Sequence, residues 1–546
     1  MTHRLTSILT SLSLFVAVGH VLPAQGQTPG TGAEPSTGAV AAPVPAAAPL
    51  SPAQAALRDA LDAAGPQLAA VVGVYQQHDF APVWTAPRAE ALLAALDQAG
   101  RHGLPAGRYD EALLRGGEPG TPAYEVAMTR AFLTYARDVN SGLLEPRRVD
   151  SDIVVSPKRP DPFALLEGLA TAPDAAGYLE ALAPSHPHYA ALQAEKARLE
   201  QLVAADIWGD PVPAGPTLRQ GDSGPRVAAL RRRLAAMESL ELGEAPVFDA
   251  PLAMVVKAFQ RSRRLSDDGV VGPTTLAVLN AQPEDRLKQV LVNLERQRWL
   301  NYDRGTRYIL VNQAAFTAQL IDQGEVTLDT RVVIGTNEHR TQEFNDSMTY
   351  MVVNPTWHVP RSIATEEMLP KLQRNPGALG SSMQIMTRGG TRINPMLVDF
   401  RRFTRSNFPF VIKQRPGPGN ALGKVKFMFP NQFSIYLHDT PAKHLFGRDV
   451  RAYSHGCVRV QKPFELAHAL LAPQADDPQG YFRTLLDGGK ERRVNLEQPV
   501  PIYLTYHSAF VGADGTVGYA SDIYGRDARV FEALQAEGVN LGAVEG

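Results

Sequence analysis

A single cysteine, Cys457, in 546 residues forbids any internal disulfide, so every fold that leans on cross-links is closed to this chain. It lies in Ser454-His455-Gly456-Cys457-Val458-Arg459, and a lone cysteine with histidine nearby is a nucleophile pattern. The rival reading, a buried cysteine packed as a small hydrophobe, leaves the flanking histidine and glycine unexplained. The missing disulfide is informative because the N-terminus reads as an export signal. Met1 to Arg4 is positive, Leu5 to Leu22 is largely apolar, and Ala24-Gln25-Gly26 supplies small residues at cleavage spacing. The continuous apolar part, Leu12 to Val18, is far short of the ~20 residues of a spanning helix. The expectation is a signal peptide over 1–26 and a soluble envelope protein.

A chain this long exceeds what one core supports, so several domains are expected. A net charge of -2 gives no global pull toward nucleic acid or an anionic membrane. The clusters Arg231-Arg232-Arg233 and Arg261 to Arg264 read as solvated helix faces. Residues 27–51 are rich in Pro, Ala, Gly and Thr without apolar period, which makes them a linker. From 52 to 210 an i, i+3, i+4 pattern (Ala56, Leu57, Ala60, Leu61) predicts a helical scaffold with Trp84, Tyr109 and Tyr135 as core aromatics; His186 and His188 beside Pro187 read as a loop.

Residues 216–282 form a separate three-helix unit. Asp222 or Ser223 is read as the N-cap of its first helix, with Pro225 in the first turn. Ala258-Phe259-Gln260 and Asp268-Gly269-Val270-Val271-Gly272-Pro273-Thr274-Thr275 follow. With the Asp-Ser-Gly start, this motif set resembles the peptidoglycan-binding domain. A calcium loop is the alternative for the Asp-Gly segment, but the spaced carboxylates and terminal Glu of an EF-hand are missing.

From 306 the pattern changes to short alternating strands: Tyr308 to Asn312, Val326 to Ile334, Thr349 to Asn354, Phe433 to Leu437, Val458 to Val460 and Ile502 to Thr505. This predicts a predominantly β domain over 306–510, interrupted by a helical and irregular insertion at 361–415. The tail at 511–546 has no legible place. If the cysteine segment is extended, alternation puts His455, Cys457 and Arg459 on one face, with Val458 and Val460 toward the core. By the same rule Tyr436 and His438 share the face opposite Phe433, Ile435 and Leu437. A thiol near its unperturbed pKa of ~8.5 needs a base or cation to become thiolate, and His438 can be that base. Gly456 would let a substrate carbonyl approach, so that the Cys457 amide donates to an oxyanion.

His438, followed after a loop by Ser454-His455-Gly456-Cys457 and then Arg459, resembles the signature of the YkuD-type L,D-transpeptidases. The order of scaffold, peptidoglycan-binding unit and catalytic domain, with Asn354-Pro355-Thr356-Trp357-His358-Val359-Pro360 before the insertion, is similar to the large periplasmic Gram-negative subfamily. The resemblance implies a multidomain α+β protein whose insertion caps the substrate. Cys457 would be the acylated nucleophile and His438 the proton carrier. Ser454, His455, Gly456, Arg459 and Tyr436 would shape the oxyanion and substrate site, with Trp357 and Asn420 as substrate contacts. It further implies peptidoglycan stem tetrapeptides as donor and acceptor, other wall-synthesis enzymes as partners, no metal or cofactor, no nucleic acid, a periplasmic location, and acylation of Cys457 by carbapenems.

Three rival classes fit the sequence less well. In a papain-like cysteine hydrolase the cysteine opens a helix, whereas Val458-Arg459-Val460 favours a strand. A zinc amidase would need metal-ligand spacing, and His-Glu-x-x-His does not occur. A non-catalytic wall-binding protein would leave the cysteine motif unexplained. The acceptor stays open among a stem amine, water (an L,D-carboxypeptidase) and a protein lysine.

Overall fold

The computed structural model describes residues 50–541 except 106, 206–208, 239, 264, 513 and 514. The expected signal peptide and nearly all of the linker therefore lie outside the described residues. Among the described residues no helix is long and apolar enough to cross a membrane.

The N-terminal part is helical. Ser51 and Gln54 close a capping box on α1 (Pro52–Ala63), which satisfies donors that the first turn leaves unpaired. The central helix α2 (Pro122–Ser141) carries Glu125 fully buried, a placement that demands partners. It accepts from the Tyr75 hydroxyl at 3.0 Å and from the Val83 and Trp84 amides at 3.2 and 3.0 Å. The Trp84 indole donates to Thr129 at 2.8 Å. Trp84, Tyr109 and Tyr135 are all buried, as the helical periodicity predicts. His186 precedes α3 (Pro187–Ala205) and His188 lies within it, so the expected loop is a helix start.

The three-helix unit comprises α4 (Pro225–Glu238), α5 (Ala250–Ser262) and α6 (Pro273–Leu279). Its motif residues have structural work: the buried Gln260 amide donates to Asp268, Val270 and Thr275 and accepts from the Gly269 N–H. It thereby pins the Asp-Gly loop to α5. Neither Asp222 nor Ser223 caps α4. The first helical N–H groups reach the Gly224 carbonyl, while the Asp222 carboxylate takes the Arg219 N–H at 2.8 Å. The arginine clusters also differ from the expected solvated faces. Arg231, Arg233 and Arg263 are buried, the first donating to the carbonyls of Leu242, Ala245 and Val247 and the second to those of Gly209, Leu279 and Ala281. A planar guanidinium with five donors can clasp loop carbonyls that no helix or strand satisfies.

Helix α7 (Pro283–Trp299) is the hub, with thirteen of its residues buried. The β part follows with β1 (Arg307–Asn312), β2 (Thr317–Asp322), β3 (Glu325–Gly335) and β4 (Phe344–Val353). The insertion carries β5 (Trp357–His358), β6 (Met383–Met386), β7 (Arg392–Ile393) and β8 (Val411–Gln414). The main sheet resumes with β9 (Val425–Met428), β10 (Leu437–His438), β11 (Ala452–Ser454), β12 (Val458–Val460) and β13 (Arg492–Thr505). Its strand order is β11-β3-β12-β10-β9-β4-β13-β1-β2, and β2 pairs back onto β3, so the sheet closes on itself and those two strands present no open edge. Its apolar side chains form one cluster with Leu466, Leu470 and Leu471 of α8 (Pro463–Leu471) and Phe482 of α9 (Pro478–Asp487). The insertion builds a separate lobe, ordered β5-β8-β6-β7, around its own core of Ile363, Leu372, Phe400, Phe408 and Ile412.

The C-terminal tail is integral to the fold. A hairpin, β14 (Ala509–Val511) with β15 (Val517–Tyr519), and α10 (Arg526–Ala536) place Val530, Phe531 and Leu534 in the same apolar cluster as α7 and the scaffold helices. Polar ties run with them: Arg529 to Asp150 at 2.6 Å, Arg108 to Glu537 at 2.8 Å and the Tyr519 hydroxyl to Glu195 at 2.5 Å.

Candidate active site

Strands β10 and β12 lie side by side and parallel, with Leu437 opposite Val458 and His438 opposite Arg459. Leu437 and Val458 are fully buried in the sheet core, so period-2 alternation turns Tyr436, His438, Cys457 and Arg459 to the other face. Cys457 leads into a strand, as the reading against a papain-like site requires. The Tyr436 and His438 rings are 5.7 Å apart.

The cysteine segment is not one extended strand. β11 pairs with β3 in parallel and β12 with β3 antiparallel, from opposite sides of it, so His455-Gly456-Cys457 crosses over the end of β3. Gly456 has φ 104°, a region costly for any residue with a Cβ. Ser454 braces this turn: its hydroxyl donates to the Cys457 carbonyl at 2.5 Å and accepts the Gly456 N–H at 3.1 Å. Thr341 donates to the Gly456 carbonyl at 2.8 Å. The crossover takes His455 off the strand face assigned to it by alternation. Its Nε2 pairs with Glu367 of the lobe at 2.6 Å, and its ring stacks on His339 at 4.6 Å. Glu367 sits in a π turn, Ala364–Met368, just before Pro370, which has no N–H to continue the helical ladder. A polar cavity of about 420 Å³, lined by Asp152, His339, Arg340, Phe433, His455 and Gly456 among others, opens beside the motif.

Cys457 is half-buried, and its thiol donates to the Ser434 carbonyl at 3.7 Å rather than to an imidazole. Ser434 has φ 56°, an uncommon conformation for a residue with a side chain. Burial pushes the thiol up to about 11, against the Tyr436 N–H and hydroxyl and the charges of Arg459 and Lys426, which favour the thiolate. Burial and the Arg459 charge push His438 down to about 4. His438 Nδ1 donates to the Asp439 carbonyl at 2.5 Å, which fixes the tautomer and leaves Nε2 as the lone-pair nitrogen. At neutral pH the site thus rests as a neutral thiol and a neutral imidazole.

Asn420, expected at the substrate, is buried, and its amide is committed to holding the lobe's return loop. It donates to the carbonyls of Pro355, Gln414 and Arg415 and accepts from the Leu422 N–H. Trp357 packs half-buried against the lobe core. Two residues at the site escaped the sequence reading. Lys426 lies on the Cys457 face, and the alternation Val425-Lys426-Phe427 could have disclosed it; Glu367 gives no such signal, because its partner is remote in sequence.

Comparison with known proteins follows the same partition. Residues 306–495 match the L,D-transpeptidase catalytic domain, 223–279 the "Putative peptidoglycan binding domain" and 69–195 the Scaffold domain. A Haemophilus influenzae protein named "Putative L,D-transpeptidase" is 34% identical over 223 residues, which cover 41% of this chain and 45% of that protein. The chain thus spans less than half the length of that relative. L,D-transpeptidase crystal structures from Xylanimonas cellulosilytica and Stackebrandtia nassauensis are 15% and 11% identical. Each alignment covers 54% of this chain and 98% or 96% of the other, with TM-scores of 0.17 and 0.21, too low to carry an argument. Residues 306–495 are thus similar to the L,D-transpeptidase catalytic domain, behind segments similar to the scaffold domain and the "Putative peptidoglycan binding domain".

Proposed function

We propose that the protein is an exported L,D-transpeptidase that crosslinks peptidoglycan stems through a thioester on Cys457. The observation that carries this reading is the shared sheet face of Cys457, Tyr436, His438 and Arg459 within the residues matched by the L,D-transpeptidase catalytic domain. His438 Nε2 takes the thiol proton as sulfur attacks the carbonyl at the L-centre of diaminopimelate in a donor tetrapeptide. The tetrahedral intermediate collapses by breaking the C–N bond, and the imidazolium returns the proton to the departing nitrogen of D-alanine. The diaminopimelate side-chain amine of a second stem then attacks the thioester, loses a proton to the imidazole and releases the thiol. The Arg459 charge and the tyrosine donors favour sulfur's negative charge, and Ser454, Gly456 and His455 hold the turn that presents it. The lobe, bonded to the motif through Glu367 and His455, is read as the cap over the bound stem, and the three-helix unit as the part that holds wall polymer.

The test is product analysis. Full-length protein incubated with disaccharide-tetrapeptide should release D-alanine and yield dimers joined between two third-position residues. Tripeptide without dimer would make water the acceptor and the protein an L,D-carboxypeptidase. Release of no D-alanine would refute the proposal.

A further inference from the structure

Lys426 is an unassigned cation on the active face. In β9 its neighbours Val425 and Phe427 are fully buried in the sheet core, so Lys426 projects to the side of Cys457. Register sets Lys426 opposite His438 and His438 opposite Arg459, so the imidazole has a cation on the strand to each side, with strands ~4.8 Å apart. Among the described residues neither cation has an acid in ion-pair contact. The Lys426 ammonium lies 5.7 Å from the Tyr436 ring centre. Arg459 reaches the Tyr453 carbonyl at 3.5 Å, and its Nε is buried without a partner. From the lobe, His358 of β5 and Lys413 of β8 are paired in register, and the Lys413 and Lys426 charges both act on His358. The acid that faces Lys426, Glu491, has its carboxylate engaged by the Thr356 N–H. Two cations flanking one imidazole, with Glu491 acting on Lys426 alone of the two and in ion-pair contact with neither, are costly for the free protein and favourable once an anion arrives.

We infer that Lys426 and Arg459 form a carboxylate subsite that grips the free C-terminal carboxylate of the donor stem, making Lys426 a specificity-determining residue for the reaction proposed above, on which this inference rests. The chemistry of the leaving group fits the row of residues. In an α-amino acid the carboxyl carbon is two bonds, ~2.5 Å, from the nitrogen. A carboxylate held between the cations flanking His438 therefore delivers its nitrogen to the imidazole that must protonate it.

The experiment compares kcat/KM of the full-length protein on disaccharide-tetrapeptide and on the same donor with a C-terminal carboxamide, reading release of D-alanine or D-alaninamide. Wild type should prefer the acid by about ten- to a hundredfold, the range of a hydrogen bond to a charged group. Lys426→Met should lose most of that preference through KM on the acid donor, beyond the loss in kcat that both donors share because the Lys426 charge favours the Cys457 thiolate, and Lys426→Arg, which keeps the charge, should retain the preference. Alkylation of Cys457 by iodoacetamide, an uncharged probe, reports whether each variant keeps an intact site. A preference retained in Lys426→Met, or an equal loss on both donors, would overturn the inference while leaving the proposed function standing. If wild type released nothing from either donor, the proposed function would fail, and this inference with it.

Discussion

His438→Ala is expected to slow acylation of Cys457 at neutral pH by about 10²–10⁴, the usual loss with a general base, and to regain rate as pH rises. The sign follows from the two resting protonation states. With burial pushing the thiol up to about 11, a site without a base must rely on the thiolate fraction, which grows about tenfold per pH unit below that value. The wild type should vary little from about pH 6 to 9, because an imidazole pushed down to about 4 is already neutral throughout that range and able to accept the proton. His455→Ala should lose rate with little recovery at high pH, since its ring is occupied by Glu367 and His339. The check is the acylation rate against pH for all three proteins. Recovery confined to the His455 variant would exchange their roles.

Arg526→Met should be the most destabilising single change outside the motif, by about 3–5 kcal/mol. Arg526 is fully buried, pairs with Glu343 at 3.3 Å and donates to the Thr341 carbonyl at 2.8 Å. Its loss leaves the buried Glu343 with Arg296 alone, at 2.5 Å, and Asp527 beside it. Thr341 in turn holds the Gly456 carbonyl, so the C-terminal segment braces the cysteine turn from 70 residues away. A lower unfolding temperature accompanied by slower acylation is the expected pair of results. An unshifted melt would show that the buried network contributes little to stability.

Sequence pattern made the local parts of this arrangement legible. Alternation in Ile435-Tyr436-Leu437-His438 and in Cys457-Val458-Arg459-Val460 separates the buried Ile435, Leu437, Val458 and Val460 from the opposite face, since both depend on immediate neighbours alone. It failed at His455, because the chain crosses the end of β3 there, and which strands lie beside β3 is decided by pairing across more than a hundred residues. Arg231 and Arg233 depart from the solvated faces that periodicity predicts for a related reason: their carbonyl partners sit on loops that helical periodicity does not see. The tail was opaque because α10 is short and its apolar stripe has meaning only against α7 and the scaffold. Asn420, with its polar motif setting, gave no sign that its amide is spent on the backbone of its own loop.

The central claim is a thioester on Cys457, and intact-mass analysis of protein quenched shortly after mixing with disaccharide-tetrapeptide tests it most directly. One adduct is expected, with the mass of the donor less D-alanine, labile to hydroxylamine, mapping to Cys457 and absent from Cys457→Ala; a carbapenem should label the same residue. An adduct that persists in Cys457→Ala, or D-alanine released by that variant at the wild-type rate, would contradict it.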